Sequence, residues 1–111
     1  ADDQKYMIEK ILRLRIFEDE AGRMEEDVTE VDGGVLVIPQ FTLYGDVTRG
    51  RRPSFHQAES PGRAREIYEE FLEAMRSQYQ PVEQGRFAEM MDIRADNDGP
   101  VTILIDSEKT F

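Results

Sequence analysis

Cysteine is missing from all 111 residues. That excludes a disulfide framework, a thiolate nucleophile and any cysteine-bound metal. Histidine is nearly missing, for His56 stands alone. A two-histidine metal motif is therefore impossible, and His56 with Glu59 would supply only two ligands, too few to close a site. His56 reads as a polar surface residue. There is no G-x-S-x-G elbow and no P-loop, so the common nucleophile and phosphate signatures are absent too. No apolar run approaches the roughly 20 residues of a membrane span. The opening ADDQKYMIEK is acidic and polar, unlike a signal peptide, and the expectation is a soluble cytoplasmic protein. Positive charge is scarce: 14 Lys and Arg against 24 Asp and Glu leave a net charge of -10. Loose affinity for nucleic acid, which depends on surplus cations, is not expected. A local basic patch is still compatible with that balance, and TRGRRPSF places Arg49, Arg51 and Arg52 within four positions. Composition alone makes this a solvated loop.

What is present fits one domain, long enough to bury a core without staples. Repeats, low-complexity segments and linkers are not seen. Asp2 or Asp3 caps an expected first helix to about Arg15, with Tyr6, Ile8, Ile11, Leu12 and Leu14 on one apolar face. EDEAGRM reads as a charged turn broken at Gly22. Val35 to Ile38 is a continuous apolar run, which suits a strand buried on both faces, and Pro39 ends or bulges it. Ser60-Pro61 opens a second helix, Ser60 as cap and Pro61 in the first turn. Ala64, Ile67, Tyr68, Phe71, Leu72 and Met75 follow helical spacing, and Pro81 stops it. Met91, Ile93 and Ala95 alternate with polar residues as in a half-covered strand, and Val101 to Ile105 forms a last strand. The fold class expected is α/β (α+β): a small mixed sheet, barrel-like, packed with two helices.

Two stretches remain as candidates for chemistry. In PQFTLYGD, polar Gln40 and Thr42 follow an apolar strand, although a β-favouring Thr at a strand end explains as much. In DNDGPVT, Gly99-Pro100 sits at the entrance to a strand and, by composition, is a turn.

In order, QFTLYGD, GRRPSF, GRFAEMM and NDGPVT resemble the D-aminoacyl-tRNA deacylase family across nearly the whole chain. The family's Ser-Gln-x-Thr motif stands here as Pro39-Gln40-Phe41-Thr42, and its Asn-x-Gly-Pro-x-Thr motif as Asn97 to Thr102. The resemblance implies an esterase that removes D-amino acids, and glycine, from the 3′ end of tRNA. It implies a metal-free homodimer with no cofactor and two sites at the subunit interface. Gly99-Pro100 would be cis and would enter the partner's pocket, where two carbonyls hold the substrate ammonium and exclude an L side chain. The missing nucleophile then makes sense: backbone groups and the terminal ribose 2′-hydroxyl do the work. Amides of Phe41 and Thr42 would supply oxyanion donors, Gln40 would orient the terminal nucleotide, and the Thr42 hydroxyl would position rather than attack. Phe87 and Met91 resemble residues of the adenosine pocket, and Arg51 and Arg52 would meet tRNA phosphates.

Two departures bear on this. Pro39 replaces the family's Ser and has neither hydroxyl nor backbone N–H. The chain also starts at a helix where the family has two earlier strands, so a single domain, N-terminally incomplete over residues 1–111, is the expectation. Both departures favour the alternative, a catalytically inactive dimeric module that binds RNA or protein on the same fold.

Overall fold

A computed structural model describes residues 2–110. The first helix, α1, spans Asp2–Arg13, with Asp2 and Asp3 in its first turn and Lys10 and Arg13 in its last. That charge order complements the helix dipole at both ends. It ends two residues short of the expected Arg15, and a final turn from the Leu14 amide to the Lys10 carbonyl closes it. Ile8 and Leu12, four apart on one face, are buried.

The charged EDEAGRM segment is not a free turn. It is the tip of an antiparallel hairpin between β1 (Phe17–Glu18) and β2 (Met24–Glu26). Asp19 Oδ1 accepts from the amides of Ala21 and Arg23, which fixes the tip without any apolar signal. A second tight turn follows. Asp27 Oδ1 accepts from the Thr29 amide and hydroxyl and from the Glu30 amide, while Glu30 returns a carboxylate oxygen to the Asp27 amide. This is a reciprocal capping box. The Thr29 hydroxyl, then the Glu30 amide, hold the Asp27 carboxyl below the usual carboxylate range; burial opposes them, and the Thr29 amide and Arg13 add to the lowering.

The strand β3 is Val35–Val37, and Pro39 lies just beyond it, as expected. It is not buried on both faces, because Leu36 is 60% exposed while its neighbours turn inward. Its partner is β4 (Val82–Gln84), in parallel, with Val35 opposite Val82 and Val37 opposite Gln84. A parallel pair needs a crossover, and α2 (Pro61–Gln78) lies within it. Pro61 occupies the first turn as expected. Ser60 sits at the cap position, but its side chain makes no capping bond; its amide and hydroxyl both donate to the Glu59 carboxylate.

The core joins the two helices to this sheet: Ile8, Leu12, Val28, Leu72, Met75 and Val82. Ile8 and Met75 are fully buried, each contributing about 1.5–3 kcal/mol. Polar clamps lock the assembly. Arg76 donates to the Val82 carbonyl from Nε and Nη2 at 3.2 and 3.0 Å. The Tyr79 hydroxyl bonds the Gly33 carbonyl.

The mixed architecture with two helices is as expected, with its strands in two separate two-stranded ladders. The two C-terminal strands are not formed. Met91–Ala95 and Val101–Ile105 have no ladder partner among the described residues, and Ile93, Val101, Ile103 and Leu104 are exposed. Alternation specifies which face a side chain would take, but a strand exists only when a neighbour satisfies its amides and carbonyls.

Candidate active site

Where β3 ends at Pro39, the chain enters a short 3-10 turn, Phe41–Tyr44. Pro39 cannot donate to a ladder, so the strand stops there. Gln40 takes the cap position, and its Oε1 accepts from the Thr42 amide at 3.4 Å. Phe41 opens the turn, where an amide has no partner within the helix. Phe41 packs edge-on against Phe55, ring centroids 5.0 Å apart.

Beside this turn lies a cavity of about 490 Å³. Pro39, Gln40 and Phe41 form one wall; Phe55, His56 and the start of α2 around Pro61 and Ala64 form another; Phe87 closes it. The lining is mostly apolar, with a few polar groups at the edge, as in a pocket for a flat or apolar ligand. Phe87 is held from behind. Its ring lies 6.1 Å from that of Tyr68, and the Arg65 guanidinium lies 5.0 Å from its centroid. Tyr68 in turn donates to the Gly85 and Val37 carbonyls at 2.8 and 3.2 Å. Burial raises its phenol above the ordinary value, against a smaller opposing pull from Arg76.

The expected site residues divide accordingly. Gln40, Phe41 and Phe87, the first and last of them 47 positions apart in the chain, are brought to one cavity. Thr42 sits one residue behind the wall, its carbonyl accepting from Gly45 and its amide turned to Gln40. Met91 does not line the cavity. It packs beside Gly85, where an added Cβ would come within 3.0 Å of the Met91 sulfur and 3.4 Å of Pro39. Arg51 and Arg52 are exposed on a loop closed by mutual backbone bonds between Asp46 and Ser54. The Gly99-Pro100 peptide is cis, as expected, with Gly99 at φ +126. Both residues are exposed and lie outside this chain's own cavity. Sequence reasoning missed Phe55, Ala58 and Ala64 as lining residues. The available signal was their position around the Ser60-Pro61 helix start, next to the basic loop.

The sequence reads His56 as a polar surface residue. It is exposed, yet it lines the cavity and its Nδ1 lies 2.8 Å from the Ser54 hydroxyl. Among the described residues, no group of three His, Asp or Glu side chains is placed to hold a metal ion. No helix among them is long and apolar enough to cross a membrane.

A small α/β domain with an apolar cavity at the end of a strand, bordered by a turn of backbone amides, is the arrangement these residues build. The family described as D-Tyr-tRNA(Tyr) deacylase matches residues 1–106. The chain is 51% identical over 110 residues to a D-aminoacyl-tRNA deacylase of Fervidobacterium nodosum, covering 99% of this chain and 74% of that protein. It is 54% identical over 106 residues to one of Symbiobacterium thermophilum, covering 96% of this chain and 70% of that one. A solved structure described as c-Myc DNA Unwinding Element Binding Protein superposes with a TM-score of 0.83 at 40% identity, over 90% of this chain and 68% of its own. The chain belongs to the D-Tyr-tRNA(Tyr) deacylase family.

Proposed function

We propose that this protein hydrolyses the ester of D-aminoacyl-tRNA, releasing free D-amino acid and tRNA. The oxygen of water bonds the acyl carbon, the bond from that carbon to the ribose oxygen breaks, the ribose oxygen leaves with one proton of the water, and the amino acid departs as its carboxylate, giving up the other proton to solvent. What carries this reading is identity near one half, over almost the whole chain, with proteins named for that activity. The geometry is compatible with it. Amides of Phe41 and Thr42 stabilise the developing oxyanion; Thr42's is only weakly engaged, by Gln40 at 3.4 Å. Gln40 orients the terminal nucleotide, Phe87 offers an aromatic face to its base, and Met91 supports that wall through Gly85. The Thr42 hydroxyl positions, and the ribose 2′-hydroxyl of the substrate assists the attack. Arg51 and Arg52 meet tRNA phosphates.

The same reading makes the protein a cytoplasmic homodimer. Gly99 and Pro100 of one subunit present their carbonyls to the partner's cavity, accept the substrate ammonium, and reject L side chains by clash. Glycine, with no side chain, passes. Exposed apolar residues are available for a subunit contact: Leu43 is 83% exposed and Leu104 73%.

The test is turnover on matched D-Tyr-tRNA and L-Tyr-tRNA, with sedimentation on the same sample. Release of free amino acid from the D-ester alone is expected, by a dimer. RNA affinity without release would establish a binding module instead.

A further inference from the structure

A second cavity, of about 430 Å³, shares one lining residue with the first. It is lined by Asp46, Thr48, Arg49, Ser54 and His56, and His56 lines both cavities. The two differ in chemistry. The first is walled by Phe41, Phe55 and Phe87. The second is lined by residues that carry a guanidinium, an imidazole, two hydroxyls and a carboxylate.

The charged groups on the second cavity are Arg49, Asp46 and the titratable His56. Asp46 Oδ1 is drawn into its own loop by the Thr48 amide at 2.9 Å and hydroxyl at 2.7 Å. Those two bonds, the hydroxyl first, hold its carboxyl below the usual range. Arg49 makes no ion pair among the described residues. Arg51 and Arg52 follow on the same loop. In a chain of net charge -10, this loop is a local concentration of cations beside a polar pocket.

We propose that this second cavity is a phosphodiester subsite, taking the internucleotide phosphate next to the terminal adenosine of the acceptor strand. The inference rests on the reading that the first cavity receives that adenosine. A base and its 5′ phosphate are joined through one ribose, so a pocket that shares a lining residue with the adenosine cavity suits the next phosphate of the strand. Arg49 supplies a planar fork of donors suited to phosphate oxygens. His56, which lines both cavities, has its Nδ1 occupied by the Ser54 hydroxyl, which leaves its other ring nitrogen for a ligand. Both are positioning residues: they hold the strand while the chemistry proceeds next door.

The experiment compares two esters, 3′-D-tyrosyl-adenosine and 3′-D-tyrosyl-cytidylyl-adenosine, which adds one phosphodiester. Wild type should favour the dinucleotide ester, by about tenfold in kcat/KM, carried mainly by KM. In Arg49→Ala that preference should collapse towards one, with Arg49→Lys recovering part of it and His56→Gln giving an intermediate loss. The salt slope for the dinucleotide ester should fall by about 0.7 in Arg49→Ala, the share of one single-strand phosphate. Thermal unfolding of each variant separates misfolding from lost contact, because a misfolded variant loses both esters together. An unchanged dinucleotide preference in a folded Arg49→Ala overturns the subsite. If wild type cleaves neither ester nor D-Tyr-tRNA, the deacylase reading itself fails; if wild type cleaves both esters equally, only the subsite does.

Discussion

The Tyr68 hydroxyl donates to the Gly85 carbonyl at 2.8 Å, tying the middle of α2 to the residue that follows β4. Two residues further on stands Phe87, whose ring faces Tyr68 and closes the cavity. The position of the cavity wall thus depends on a bond made outside it. Tyr68→Phe keeps the packing and removes the donor. It should destabilise the fold by about 0.5–1.5 kcal/mol, as a lower urea midpoint with unchanged slope. It should also raise KM for the deacylation substrate more than it lowers kcat. No change in either quantity would mean that the bond does not position Phe87.

Thr42→Ala should lower deacylation without abolishing it. Thr42 lies outside the cavity lining, and its hydroxyl has no histidine beside it among the hydrogen bonds described. A positioning group is lost more cheaply than a nucleophile. Mass spectrometry of quenched reactions is the check, and a covalent acyl-Thr42 species would refute the assignment.

Gly99 has φ +126, and a Cβ there would lie 3.2 Å from the Val101 amide nitrogen. An L side chain adopts that backbone only with strain. Gly99→Ala should therefore displace the carbonyls proposed to judge chirality. The ratio of D-Tyr-tRNA to L-Tyr-tRNA hydrolysis should drop at least severalfold, either by lost D-activity or by gained L-activity. An unaltered ratio would leave Gly99 as a turn residue only.

Asp27 predicts a pH signature. Its folded carboxyl titrates below its ordinary value, chiefly because of the Thr29 hydroxyl. A depressed acid stabilises the fold above its unfolded pKa and loses that contribution as pH falls through the folded one. Asp27→Asn should thus melt below wild type at pH 7, and the two melting curves should converge as pH drops beneath the ordinary carboxylate range. Parallel curves down to low pH would show that Asp27 contributes no titratable stability.

Much of the molecule was legible locally. The apolar spacing from Ile8 to Leu12 and from Ala64 to Met75 located both helices within two residues, because helical hydrogen bonds close within the segment that specifies them. The 39–42 and 97–102 motifs located the candidate chemistry on resemblance. The hairpin from Phe17 to Glu26 escaped, since its tip is built by Asp19 bonding backbone amides rather than by alternating apolar residues. Val82–Gln84 was hidden for a similar reason: only Val82 is buried, and its identity as a strand comes from Val35–Val37 across the ladder.

The amino-acid sequence by itself determined the two helices, the stop at Pro39 and the order of the motifs that mark the family. The helices and that stop depend on bonds and sterics within a few residues. Tertiary structure alone decided which apolar runs became strands, that Phe41 and Phe87 share a cavity, and that His56 lines both an apolar pocket and a polar one. Each of these depends on a partner tens of residues away, and a backbone segment or side chain cannot specify a neighbour that only the fold supplies.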